Sequence, residues 1–264
     1  MHIGITGSSG FLGGALVTEV IQRGHTPSLI RLPRDNDLRN SSYLEDMVSS
    51  AQCDAIIHTA VARHPSTSND YYLNAEFPNA LERVFRLVNQ KGAFVHISSL
   101  GVVVKSLQDA YTKSKREAEL RLKGSRSLIV RPSLIWSREE KGDAGRLQKF
   151  LLRYPVSFMV FPGSKYFPVL DKNLAAVIIN LTEQGEQAFG VIDIMGDKPF
   201  TAWQLARYLA MKHNRKLIPV PMPFRLPFLP SVLRNTDCTV FNENWKPKSD
   251  QKIVIPFSVG YPYE

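Results

Sequence analysis

The chain opens on a short run, His2-Ile-Gly-Ile-Thr6, that meets glycines at Gly7, Gly10 and Gly13 and passes at once into a helical pattern. A strand, a phosphate loop and a helix N-terminus follow one another in that order. Gly7 suits a tight turn, Gly10 lets phosphates approach the backbone, and Gly13 lets the helix pack closely on its strand. Leu12, Leu16 and Val20 recur every four residues and give the helix one apolar face. An ordinary glycine-rich turn has similar composition, but the order of elements favours a dinucleotide site whose pyrophosphate rests on backbone N–H groups. On this reading Ser9, Phe11 and Leu12 join the glycines around the cofactor.

Strand-like and helix-like segments then alternate. The strand candidates are Ile3–Thr6, Ser28–Arg31, Ala55–Thr59, Ala93–Ser98 and Ser127–Arg131, with a later one at Gly190–Met195. The helix candidates are Phe11–Arg23, Tyr43–Ala51, Tyr71–Gln90, Ala110–Leu122 and Ala202–Lys212. Short apolar strands separated by helices predict an α/β protein with a doubly wound parallel Rossmann sheet. Beyond Pro132 the elements shorten, and prolines at 219, 221, 223, 227 and 230 exclude long helices there. Residues 1–134 with 168–195 are therefore expected to form the dinucleotide-binding domain. Residues 135–167 with 196–264 are expected to form a small C-terminal substrate lobe. The apolar, basic stretch from Pro223 to Pro230 reads as packed lid or core, because its prolines prevent an amphipathic helix.

At 264 residues the chain can bury a large core. Its net charge of +9 comes from scattered Lys and Arg, with no long basic block, which favours an anionic cofactor and substrate over nucleic acid. No membrane-spanning run or signal peptide is readable, so the cytoplasm is the expected compartment. Cys53 and Cys238 form no metal pattern and are expected to be reduced; no metal is expected.

Tyr111-Thr-Lys-Ser-Lys115 carries the second signal. Four residues apart at a helix start, Tyr111 and Lys115 share a face. A tyrosine hydroxyl titrates near 10, too high for acid–base work at neutral pH, and a neighbouring ammonium lowers that value. Upstream, Phe94-Val-His-Ile-Ser-Ser99 ends a strand in two hydroxyls, where such a sheet borders its ligand crevice. Alone, each pattern also fits a helix surface or a strand end.

Together, Thr6-Gly7-Ser-Ser-Gly10-Phe-Leu-Gly13, Ser98-Ser99 and Tyr111-x-x-x-Lys115 resemble the short-chain dehydrogenase/reductase superfamily. The form resembles its extended branch, the nucleotide-sugar epimerase/dehydratase/reductase family. Asp54-Ala-Ile-Ile-His-Thr-Ala60, Asn74, Asn79, Ile129-Val-Arg131-Pro132 and Val169-Leu-Asp171-Lys-Asn-Leu-Ala175 are similar to further marks of that branch. The resemblance implies that Ser99 orients the substrate oxygen, that Tyr111 is the general acid or base, and that Lys115 tunes it and binds ribose. It also implies that Asp37 and Leu38 contact adenine, that Thr59, Ala60, Val61 and Pro132 border the cofactor, and that a homodimer packs through the helices of 71–90 and 110–122.

By the same resemblance, the acidic residue that would select NAD falls on Arg31, with Arg34 on the same loop. Guanidinium groups there suit a 2′-phosphate, so NADP(H) is the preferred cofactor and NAD(H) the alternative. A cofactor drawn from a pool points to a reductase of a nucleotide-activated keto-sugar. Arg146, Lys149, Arg153, Lys165, Arg225 and Arg234 are candidates for its diphosphate. A nucleotide-sugar 4-epimerase with bound NAD(P), a reductase of an apolar ketone and a non-enzymatic NADP-sensing regulator stay open as alternatives.

Overall fold

The structure, a computed structural model, describes residues 1–32, 38–104, 107–137, 142–153, 156–161, 165–221 and 251–257. Its first half runs β1 (His2–Thr6), α1 (Phe11–Gln22), β2 (Thr26–Ile30), α2 (Ser41–Ala51), β3 (Ala55–His58), α3 (Ser68–Ala75), α4 (Phe77–Val88), β4 (Ala93–Ile97), α5 (Ala110–Leu122) and β5 (Ser127–Pro132). The second half adds β6 (Ile135–Trp136), α6 (Gly142–Arg153), β7 (Val156–Phe161), β8 (Lys165–Tyr166), β9 (Val169–Leu170), α7 (Asp171–Thr182) and β10 (Gly190–Gly196). It closes with β11 (Phe200–Thr201), α8 (Ala202–Lys212), β12 (Lys216–Pro221) and β13 (Gln251–Ile255).

Seven strands form one sheet in the order β13-β10-β5-β4-β3-β1-β2, and every neighbouring pair is parallel. The chain winds from β1 outward to β2, then crosses back to place β3 on the other side of β1. That reversal opens a crevice beyond the carboxyl ends of β1 and β3, where ligands of such sheets bind. The strands are apolar almost throughout because both faces are covered. Ile3, Ile5, Ile57, Val95 and Val130 meet Leu16 of α1 and Leu174 and Ile178 of α7 on one face. Ile56, Phe94 and Ile129 meet Leu44, Leu81, Phe85 and Leu122 from α2, α4 and α5 on the other.

A smaller core joins α6 and α8 through Leu151, Leu205 and Leu209, with Trp136, Leu170 and Phe257. Trp136 and Phe257 follow the carboxyl ends of β5 and β13, so this core adjoins the crevice end of the sheet. No helix among the described residues is long and apolar enough to cross a membrane.

The structure departs from the sequence expectation in three places. The helix expected over 71–90 is two helices, α3 and α4, because Pro78 lacks an amide hydrogen and its ring clashes with the preceding turn. Asn79 then donates to the carbonyl of Glu76 and opens a new helix. The second half holds more regular structure than its prolines suggested. Pro219 and Pro221 lie within β12, which pairs with β7 in a two-stranded sheet where an unpaired side tolerates proline. Finally, β13 falls within the stretch assigned to the substrate lobe, yet it pairs with β10 in the central sheet.

Candidate active site

The carboxyl ends of the sheet open onto a cleft of about 1260 Å³. Its floor is the first loop. Gly7 adopts φ +69°, and a Cβ there would stand 2.7 Å from the amide nitrogen of Ala60, so only glycine allows this approach. The ends of β1 and β3 are stitched together at this point. Thr59 Oγ1 donates to the carbonyl of Thr6 at 2.7 Å, and the Ala60 amide donates to Thr6 Oγ1 at 3.3 Å.

Gly10 caps α1 with extended backbone and has no side chain to satisfy the helix amides. The amide of Gly14 makes the first helical bond, to the carbonyl of Gly10 at 2.9 Å. No acidic residue occupies the first turn. Uncapped amides and an uncompensated helix dipole at the cleft floor fit a dinucleotide pyrophosphate.

Around this floor the cleft gathers Gly7, Ser9, Gly10, Phe11, Leu12 and Gly13 from the loop, Arg31 beyond β2, and Thr59, Ala60 and Val61 beyond β3. Ser99, Tyr111, Lys115 and Pro132 line the same cleft. Leu38 does not; it packs on the α2–α4 side of the core, and its carbonyl accepts from the Tyr72 hydroxyl at 3.4 Å. Arg34 and Asp37 lie outside the described residues, as do Arg225, Arg234 and Cys238. Of the basic candidates for the substrate diphosphate, Arg146 lines the cleft, while Lys149 and Arg153 are exposed away from it. For Lys165 only the backbone, in β8, is described.

Each candidate side chain is placed by a local cause. Asp109 caps α5, accepting from the Thr112 amide at 3.0 Å and its hydroxyl at 2.6 Å, which sets Tyr111 in the first turn. Ser99, two residues beyond β4, caps a short 3₁₀ turn over Leu100–Val103, its Oγ accepting from the Gly101 amide at 3.2 Å. The hydroxyl of its neighbour, Ser98, is committed to Glu119 at 2.5 Å. The connection from Ser99 to α5 is held by Arg116, whose guanidinium donates to the carbonyls of Val102 (2.8 Å), Leu107 (2.7 Å) and Val104.

Lys115 is 2% exposed, and its Nζ donates to the carbonyl of Ile97 at 2.8 Å. Burial pulls its pKa down to about 7, against an opposing pull from Glu119. Beneath it His58 and His96 stack at 5.5 Å. Burial first, then Lys115, pushes His58 down to about 3 and His96 well below its ordinary range, so both are neutral.

These shifts have a consequence for stability. Lys115 titrates near 7 when folded and near 10.5 when unfolded, so between those values the unfolded chain carries the extra proton. Stability relative to a Lys115→Met variant therefore rises from pH 7 to pH 10, at up to ~1.4 kcal/mol per pH unit. Urea unfolding of both proteins at pH 7 and pH 9 checks this; an equal difference at the two values would contradict it.

Sequence reasoning missed Arg63, His64 and Tyr166, all of which line the cleft. Arg63 and His64 follow the Asp54–Ala60 strand at the switch point, and that position alone could have marked them. Tyr166 lies in a two-residue strand paired with β11, which has no periodicity to read.

The profile of the NAD dependent epimerase/dehydratase family matches residues 3–121. Mouse (Mus musculus) mitochondrial NADH dehydrogenase [ubiquinone] 1 alpha subcomplex subunit 9 is 24% identical over 241 residues. That match covers 83% of this chain and 63% of the subunit, so the chain spans less than two thirds of that relative's length. Among solved structures, a hypothetical dTDP-4-dehydrorhamnose reductase from Sulfolobus tokodaii is 25% identical with a TM-score of 0.67, covering 83% of this chain and 86% of that one. The dTDP-4-dehydrorhamnose reductase of Bacillus anthracis, in complex with NADP, is 18% identical with a TM-score of 0.69, covering 84% of each chain.

Proposed function

We propose that this chain, whose residues 3–121 match the NAD dependent epimerase/dehydratase family, is an NADPH-dependent reductase acting on a keto group of a nucleotide-activated sugar. One observation carries this reading: Ser99, Tyr111 and Lys115 line the same cleft as the glycine loop and Arg31. The likeness to dTDP-4-dehydrorhamnose reductases, one of them an NADP complex, supports it.

The loop amides and the α1 N-terminus would hold the pyrophosphate, and Lys115 the ribose hydroxyls. A nicotinamide held there would supply the hydride that the carbonyl carbon accepts. The Ser99 hydroxyl holds the carbonyl oxygen and polarises it. The Tyr111 hydroxyl gives that oxygen its proton, and the Lys115 ammonium stabilises the phenolate left behind. The same reading gives a homodimer through α4 and α5, supported by Leu87 and Leu120, large apolar side chains 77% and 70% exposed on those helices.

Arg31 is exposed at the cleft end of β2, where its guanidinium can meet a 2′-phosphate. Arg31→Asp should shift cofactor preference toward NADH by about tenfold or more, since a carboxylate there repels a 2′-phosphate and accepts from a 2′-hydroxyl. Titration of both cofactors into both proteins reads this, and wild-type affinity for NADH equal to that for NADPH would refute it. The function itself is tested by following NADPH oxidation across nucleotide-linked 4-keto-sugars. Steady consumption with at least one is expected, and no turnover with any counts against this substrate class.

A further inference from the structure

On α5, Lys115 and Glu119 stand one turn apart on one face. Lys115 Nζ holds the carbonyl of Ile97 at 2.8 Å, and Glu119 Oε1 holds the hydroxyl of Ser98 at 2.5 Å. Two consecutive residues of the β4 end, directly before Ser99, are thus gripped by two consecutive turns of the helix that carries Tyr111. Glu119 is itself anchored. Arg131 of β5 forks onto it, Nε to Oε1 at 2.9 Å and Nη2 to Oε2 at 2.5 Å. Behind Arg131, its Nη1 lies 3.6 Å from Oδ1 of Asp193, a fully buried carboxylate of β10.

Charges therefore alternate from β10 through β5 to α5. A paired fork of this kind has one geometry, and the carboxylate it fixes has little freedom to move.

We propose that Glu119, anchored by Arg131 and Asp193, is a positioning residue that fixes the β4 end bearing Ser99 and sets a counter-charge one turn from Lys115. The inference rests on the assignment of Ser99, Tyr111 and Lys115 as the reacting set. It adds a residue that touches neither substrate nor cofactor and acts through its neighbours.

The groups around Lys115 leave this part to Glu119. His58 of β3 and His96 of β4 are neutral, and Tyr111 precedes Lys115 by one turn of α5. From α3, Tyr71 and Asn74 reach α5 at Glu117 (2.7 Å) and Ser114 (3.2 Å), and neither brings a charge to Lys115. Among the described residues, Glu119 is the anion that opposes the desolvation of the Lys115 ammonium.

The test is a titration of Lys115 by NMR in full-length protein bearing ¹³C-labelled lysine side chains, without substrate or cofactor, with Lys115→Met to assign the signal. Glu119→Gln keeps an acceptor for Ser98 and removes the charge, so the Lys115 midpoint should fall by about one pH unit. An unchanged midpoint in folded Glu119→Gln overturns the counter-charge. Ser98→Ala keeps every charge and releases one grip. It should leave the midpoint in place and lower kcat about tenfold with little change in KM. Wild-type kcat in Ser98→Ala overturns the positioning role, and this variant decides the matter if Glu119→Gln does not fold. Should no keto-sugar be reduced at all, the enzymatic reading fails while the titration still reports on Glu119.

Discussion

Tyr111→Phe is expected to reduce keto-sugars about 10³-fold more slowly than the wild type while binding NADPH unchanged. The substitution removes one oxygen and its proton and keeps the ring that lines the cleft. On the proposed reading Ser99 would still hold the carbonyl, and Lys115 keeps its grip on the carbonyl of Ile97. What is lost is the proton for the developing alkoxide; water, the remaining donor, is unpositioned. Because the Asp109 cap, which the substitution leaves intact, sets the start of α5, melting temperature should stay close to wild type. Steady-state kinetics, a cofactor titration and a melting curve together check the prediction. Activity within tenfold of wild type would remove Tyr111 from the chemistry. A protein that only senses NADP would keep its function with this change.

Gly13→Ala is expected to abolish cofactor binding and to cost about 2–4 kcal/mol of stability, although alanine is the better helix former. A Cβ at Gly13 would overlap the carbonyl oxygen of Gly7 and stand 2.8 Å from Ser8 Cα. Both obstacles are backbone, so the helix and the loop must separate, which scatters the amides that the pyrophosphate needs. Gly14→Ala is the control on the same turn. Its Cβ would meet only the carbonyl of Ser8, at 3.9 Å, so it should bind NADPH normally and gain about 0.5 kcal/mol. A cofactor titration and chemical unfolding of the pair measure the contrast. Equal behaviour of the two variants would mean that the close approach of α1 to its loop does not matter.

The sheet was legible because its strands are short apolar runs with helices between them, and Ile3, Ile57 and Val95 are buried as that pattern requires. The candidate site was legible as a gathering of side chains where chemistry would demand a residue type at a fixed spacing. The three glycines, Ser99, Tyr111 and Lys115 are of this kind, and the structure brings them to one cleft. What depends on contacts distant in sequence was not legible. Ser98 donates its hydrogen bond to a glutamate 21 residues away, and that glutamate is held from β5 by an arginine that had read only as a family mark. The strand β13 was hidden as well, since it returns to the sheet far from its partner β10 in sequence and buries only Ile255 fully. The break between α3 and α4 could have been read from Pro78, which the apolar periodicity on either side obscured.

Isotope tracing decides whether this cleft reduces a ketone at the expense of NADPH with Tyr111 as proton donor. NADPH carrying deuterium at the transferable position of its nicotinamide is incubated with the purified protein and a nucleotide-linked 4-keto-sugar, and the sugar is analysed by mass spectrometry. One deuterium is expected at the former carbonyl carbon for each NADPH consumed, with Tyr111→Phe suppressing the label. Unlabelled sugar and unconsumed NADPH, or an isomerised sugar with the cofactor intact, would contradict it.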